Sequence, residues 1–480
     1  MKTPLYWLLV VLSVVLPGPL RAGMELNGAI ATENYLGVRE GEFYNFRNAN
    51  LVQLKLGAHP AEEVAAFANL ELRNTNFTGI QTVDDLWDRG SLDPISWRIN
   101  EAYVDLYGFL LNGELFALDL RAGKQVLGWG EGDGFNPSNP LDPFNLENPL
   151  DFKARIGNVG LKATLTVGEE WFSVEGVVIP RFLPAVVPVD LFIGDDLLNN
   201  PLMPSFDPAG MLPPELAGLD LLVLQPGYEA LLTDTPGAEL ANVMGGARVR
   251  WAIAGFDWTV SYAHGRQSLP VPKTVHATAG VDGCPEGAEN CLAVALDEIR
   301  LIYPEIEVLG FDLRGDLGGV GLWGEVAVVF PRAVDTEIVT GVPLLGEMRA
   351  ELVAIEEEPF TKWVLGAEYT FPGGYYFNLQ WVHGFFAEMT GHKLHDYLFF
   401  IFRKSILADR LKFELALGGE LDTTLGRRSL GGLGNLLITY KPFDGSEVAL
   451  GYVMARGEDG TTLEMFEKLD QVYLRFRADF

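Results

Sequence analysis

The stretch QVYLRFRADF (Gln471–Phe480) decides the fold. Val472, Leu474, Phe476, Ala478 and Phe480 occupy alternate positions, with Gln471, Tyr473, Arg475, Arg477 and Asp479 between them. Successive side chains of a strand point to opposite faces, so this segment has one apolar and one polar face. A soluble sandwich would bury the apolar face in a core. Here the same pattern recurs in segments of about ten residues, which is the signature of a transmembrane barrel with lipid outside and a polar lumen.

Working back along the chain, Val64, Ala66, Ala68, Leu70 and Leu72 point outward, with Asn69, Glu71 and Arg73 opposite. Phe116, Leu118 and Leu120 oppose Asp119 and Arg121. Val243, Ala247, Val249, Trp251 and Ile253 oppose Arg248 and Arg250, and Trp363, Leu365, Ala367, Tyr369 and Phe371 oppose Lys362 and Glu368.

Connection lengths test the barrel independently. Short turns fall at His59–Glu63, Leu111–Gly113, Gly168–Glu170, Gly255, Arg314–Gly319, Pro372–Gly374, Ile406–Asp409 and Pro442–Ser446. Long connections alternate with them near 76–96, 128–154, 181–240, 267–300 and 331–359. Short periplasmic turns and long external loops are the bacterial outer-membrane pattern. The sequence therefore predicts an all-β, antiparallel transmembrane barrel of about 18 strands, with 16 as the alternative.

The start of the chain sets the compartment. Lys2, the apolar run Leu5–Leu16 and the small residues Ala22 and Gly23 predict a signal peptide over 1–23, leaving 24–480 as one barrel. Downstream, no apolar run approaches the roughly 20 residues of a membrane helix. A net charge of −30 excludes a nucleic-acid partner, since phosphate binding needs clustered Lys and Arg. The only two cysteines, Cys284 and Cys291, predict a small disulfide loop in an oxidising compartment. The expected location is the outer membrane of a Gram-negative-type bacterium. Lipid and lipopolysaccharide are the expected surroundings, and the barrel-assembly machinery is expected to read the last strand through Phe480.

Inward charges predict a lumen of mixed sign, lined by Glu71, Arg73, Asp119, Arg121, Arg248, Arg250, Asp312, Arg314, Lys362, Glu368, Arg475 and Arg477. In three strands an acid precedes an Arg by two places, which reads as pore lining or as ion pairs within the wall. The stretch GWGEGDGFNPSNPLDPFN (Gly128–Asn145) lies on an external connection. Its glycines alternate without G-x-G-x-x-G or G-K-[ST] spacing, so it is no nucleotide loop. Glu131, Asp133, Asp142, Glu147 and Asp151 are hard oxygen donors for a Ca2+ shell, without EF-hand spacing. The other readings are a solvated acidic loop, and a proline-stiffened constriction or lid containing Trp129, Glu131, Asp133, Asn136 and Asp142, with Trp129 at the membrane rim. The apolar pieces VDLFIGDDLL and LAGLDLLVL within 181–240 either plug the lumen or pair with another external loop. No hydrolase motif is present, and His392 and His395 lack a third metal ligand in sequence.

The segments LRAGKQVLGWGEGDGFNPSNPLDPFN, IPRFLPAVVP and VLGAEYTFPGGYYFNLQWVHGF resemble those of large outer-membrane barrel families. One such family is encoded beside RND-type exporters, and another comprises the alginate-export-like barrels. The second likeness implies an 18-stranded channel with a strongly basic lumen, from which the mixed-sign lumen departs. Function is expected to be that of a non-enzymatic, porin-like channel for small or hydrophobic solutes, narrowed by its loops, without a cofactor other than Ca2+ on acidic loops. The alternative is a scaffold that sheathes an electron-transfer cytochrome or docks a periplasmic export component.

Overall fold

The computed structural model describes residues 23–39, 42–77, 95–113, 115–148, 151–168, 171–186, 220–224, 231–280, 284, 291–342, 346–422, 429–458 and 461–480. The expected signal peptide lies outside these residues except for Gly23. The acidic connection near 76–96 and the piece VDLFIGDDLL also lie almost wholly outside them.

Twenty-four strands occur among the described residues. The first seven are β1 (Gly23–Arg39), β2 (Glu42–Ala61), β3 (Val64–Phe77), β4 (Ile95–Leu106), β5 (Phe116–Gln125), β6 (Asn158–Val167) and β7 (Phe172–Ile179). Then come β8 (Asp220–Leu224), β9 (Leu231–Asp234), β10 (Met244–Ile253), β11 (Phe256–Arg266), β12 (Val271–Gly280), β13 (Cys291–Ile302), β14 (Glu305–Leu317) and β15 (Val320–Pro331). The last nine are β16 (Val334–Val342), β17 (Gly346–Ile355), β18 (Phe360–Phe371), β19 (Tyr375–His383), β20 (Asp396–Ile406), β21 (Leu411–Asp422), β22 (Ser429–Tyr440), β23 (Ser446–Gly457) and β24 (Gln471–Asp479).

Eighteen of these strands form one antiparallel sheet that closes on itself. The seam pairs β1 with β24, from Ala29↔Asp479 to Gly37↔Gln471. Beyond it, the Phe480 N–H donates to the Gly28 carbonyl at 2.9 Å, and the Gly28 N–H to the Phe480 carbonyl at 2.7 Å. Closure leaves no strand edge, which is the condition for strands to cross hydrocarbon where water cannot satisfy backbone groups. The outer face is apolar, with Leu26, Leu161, Leu309, Leu365, Leu398 and Leu450 exposed. Trp171, Phe371, Tyr375, Tyr440 and Phe443 lie at the short-turn end, where amphipathic rings suit the headgroup level. All eight expected short turns are present, and no helix among the described residues is long and apolar enough to cross a membrane.

The long connections near 267–300 and 331–359 contain the hairpins β12–β13 and β16–β17, which the sequence reading did not assign. Parallel pairing of β12 with β16 joins them into a second sheet. β8 and β9, from the 181–240 connection, add parallel to β13. Val275, Ala277, Leu292, Val294, Leu296 and Ile338 pack together as one apolar cluster in this sheet, an alternation equally available to wall strands. The described end of LAGLDLLVL therefore pairs with another external segment rather than plugging the lumen. Cys284 and Cys291 form the expected disulfide beside β13.

Candidate functional site: a segment that crosses the lumen

Between β5 and β6 the chain turns into the barrel instead of standing at its mouth. Leu127, Trp129, Phe135, Leu141, Leu146 and Ile156 are all buried. Phe135 stacks on Phe399 of β20 with centroids 4.7 Å apart, and it packs with Phe385 and Phe152. Trp129 is not at the rim. It is 2% exposed, and its indole N–H donates to Glu175 of β7 at 2.7 Å. Glu175 also accepts from Arg248 of β10, so a buried cation balances that carboxylate.

The opposite wall supplies the main anchor. Glu325 of β15 is fully buried and accepts from the N–H groups of Glu131 and Gly132 at 3.0 Å. It accepts further from the Ser138 N–H at 2.8 Å, the Ser138 hydroxyl at 2.7 Å and the Asn136 amide at 3.4 Å. This explains the alternating glycines. Gly130 has φ +87°, and a Cβ there would lie 2.6 Å from the Glu325 carboxylate; at Gly132 a Cβ would lie 2.0 Å from the Phe135 carbonyl oxygen. The stretch is an anion-cradling turn of backbone N–H groups whose anion is the barrel's own glutamate.

Further ties fix the crossing. The Asp133 N–H donates to Gln380 of β19 at 2.8 Å, and Gln380 donates back to the Asp133 carbonyl at 3.2 Å. Asp133 also pairs with Lys153. Glu147 accepts from Arg73 of β3 at 2.5 Å and from both terminal nitrogens of Arg98 on β4 at 2.7 and 2.8 Å. Around the ring β3 and β15 are eight strands apart, through β4, β5, β6, β7, β10, β11 and β14, so the segment spans nearly the full width of the barrel.

Asp142 accepts from the N–H groups of Leu127 and Gly128 and from the Asn139 amide, closing the turn on itself. Burial pushes its carboxyl above the usual range, and those donors pull against that. Burial likewise pushes Arg155 down to about 10, which leaves it protonated at neutral pH. Its guanidinium lies 4.0 Å from the Phe144 ring centre and donates to the Phe152 carbonyl at 2.6 Å. The carboxylates proposed for Ca2+ do not converge, because Glu131, Asp133, Asp142 and Glu147 each bind different partners. For Asp142 these are its own turn's donors, and for Glu131 the partner is Arg314 at 3.6 Å.

The residues expected to line the lumen pair differently from the i, i+2 pattern. Glu71 and Arg73 do pair, at 2.8 Å. Arg121 instead binds Asp105 of β4 at 2.6 Å, and Asp119 accepts the Gly108 N–H. Asp312 is buried, and Arg250 is exposed. Lys362 donates to the Phe385 carbonyl at 2.5 Å, and Glu368 accepts from Tyr376. Arg475 pairs with Glu447, and Arg477 with Asp479. A small cavity of about 70 Å³ lies between the crossing segment and the wall, lined by Phe135, Phe144, Phe386, Ile306, Val329 and Lys362 among others.

Glu325, Glu175, Gln380 and Arg98 were not singled out by sequence. One signal was available. Glu325 is the only charged residue of β15, and Glu175 the only one of β7.

A closed 18-strand barrel with an apolar exterior and a polar interior defines an outer-membrane β-barrel protein, placed in the outer membrane of a Gram-negative-type bacterium. No family profile matches the chain, and no curated protein matches it. Similar solved structures include Acinetobacter baumannii OccAB1, at 9% identity over 96% of this chain and 96% of that one, with TM-score 0.46. Pseudomonas aeruginosa OccK5 (OpdH) has 8% identity over 95% and 97%, with TM-score 0.45. Salmonella typhi OmpF, in complex with daunomycin, has 11% identity over 95% and 97%, with TM-score 0.39. At these values they carry no weight for function, and the class rests on the closed sheet.

Proposed function

We propose that this chain is a porin-like channel for small or hydrophobic solutes, its pore narrowed by the 126–157 segment. The observation that carries this reading is the docking of a wall-to-wall segment on Glu325, because a peptide fixed across the lumen sets the width of what passes. The aromatic pocket beside it favours apolar or amphipathic solutes, while the mixed-sign lumen disfavours polyanions. The scaffold reading loses support because the chain's own segment takes the space a sheathed protein would need. Planar-bilayer recording of the purified barrel tests the proposal. Discrete conductance steps that grow when residues 129–152 are replaced by a short Gly/Ser linker support it. A folded barrel that never conducts, with or without the segment, would sink it.

A further inference from the structure

A second cluster of ligating side chains lies at the external end of the lumen, apart from the crossing segment's anchors. It draws on three places: Glu388 and His395 in the β19–β20 connection, Tyr397 and Glu420 on β20 and β21, and the turn at Thr462–Leu463 that precedes β24. Glu388, His395, Tyr397 and Glu420 are all less than a tenth exposed.

Backbone donors hold each carboxylate with one oxygen turned to a common point. The second Glu388 oxygen accepts the N–H groups of Phe385 at 2.7 Å and His395 at 3.1 Å. The Glu420 carboxylate accepts the Leu463 N–H on Oε2 and the Thr462 N–H on Oε1, each at 2.7 Å. Oε1 of each glutamate also faces His395 Nδ1, at 3.6 Å from Glu388 and 2.7 Å from Glu420. The Tyr397 hydroxyl completes the group, 2.5 Å from Glu388 Oε1 and 3.3 Å from Glu420 Oε1.

We propose that Glu388, His395 and Glu420, with the Tyr397 hydroxyl at a fourth position, bind one divalent first-row transition-metal ion of the Zn2+ class. Tetrahedral Zn2+ with ligand bonds near 2.0–2.1 Å places neighbouring ligand atoms about 3.3 Å apart, which the observed 2.5–3.6 Å separations bracket. A divalent ion bound there would sit between two buried carboxylates with the imidazole neutral, Lys362 being the other buried cation that acts on Glu388. One nitrogen and few oxygens suit Zn2+ better than Ca2+, which takes six to eight oxygen ligands. Fixed backbone donors behind both carboxylates are the outer shell such a site requires. Bound metal would tie the β19–β20 connection to β21.

An exposed trio, Glu356, Glu358 and His392, would confuse the measurement, so the experiment uses the His392→Ala barrel. That protein, purified in detergent and stripped with chelator, is titrated with Zn2+ by calorimetry and with Co2+ by visible absorbance. The expected result is one Zn2+ per chain, unaffected by excess Ca2+, and Co2+ bands of a four-coordinate nitrogen–oxygen site. Adding His395→Ala or Glu420→Gln should weaken Zn2+ binding on the order of 100-fold. Folding is checked by heat-modifiable migration on gels. If a second substitution prevents folding, the His392→Ala barrel alone decides. Failure of the His392→Ala barrel to bind Zn2+, or binding that survives both further substitutions in folded protein, overturns the proposal.

Discussion

Replacing Glu325 by alanine tests the crossing segment most directly. The side chain is fully buried, and in the wild type it satisfies the N–H groups of Glu131, Gly132 and Ser138, the Ser138 hydroxyl and the Asn136 amide. Hydrogen bonds to a charged group contribute about 1.5–3 kcal/mol each, so a simple sum for five would be roughly 8–15 kcal/mol. Two effects reduce it. The variant no longer buries an ion, whose desolvation opposes the wild-type contacts, and water entering the vacated volume can satisfy some of the stranded donors. A net loss of about 3–5 kcal/mol in docking is the resulting expectation. At about 1.4 kcal/mol per factor of ten, it moves the docked–undocked equilibrium by roughly two to four orders of magnitude. Single-channel recording should show larger, noisier steps, and limited proteolysis should cut between Gly128 and Asp151 while the barrel stays heat-modifiable. Glu325→Gln keeps one acceptor oxygen and should fall between wild type and alanine. A folded Glu325→Ala barrel with unchanged conductance and an uncut segment would refute the reasoning.

Trp129→Phe deletes the indole donor to Glu175 but leaves Arg248 on that carboxylate, so it should cost about 1–3 kcal/mol of segment docking, read as faster proteolysis. Glu147→Gln frees Arg73 and Arg98 of their shared anion; the reversal potential in a salt gradient should shift towards anion selectivity, and an unchanged potential would place those residues off the ion path. Reduction of Cys284–Cys291 should release two thiols and leave conductance unchanged, because the bridge lies beside β13 in the external sheet, away from the crossing segment.

Period-two alternation and turn chemistry made the wall legible, because a transmembrane strand must show lipid on one side and polar groups on the other. The 18-strand count and every short turn follow from that constraint. Residues 267–300 and 331–359 look like loops by length, yet their β-branched alternation meets in a sheet whose partners are far apart in sequence. Trp129 fits a rim by residue type, and only the position of Glu175 draws it inside. For the same reason, the glycines of 128–134 could be excluded as a phosphate loop but not assigned to Glu325. Their carboxylate is almost two hundred residues away in sequence, at a separation of 194 for the Glu131 contact. The histidines at 392 and 395 likewise gain carboxylate neighbours only in space.

That separation sets an order of events. The chain leaves β5 with backbone donors that have nowhere to go until β15 is in place, and the contact to Gln380 waits for β19, a separation of 247 residues. Contacts this distant form late, because the intervening chain must first be organised. A half-built barrel therefore has no seated crossing segment. Protease resistance of residues 128–151 becomes a clock for assembly: it should appear only after two-thirds of the wall has closed, and a barrel stalled earlier would be an unguarded hole.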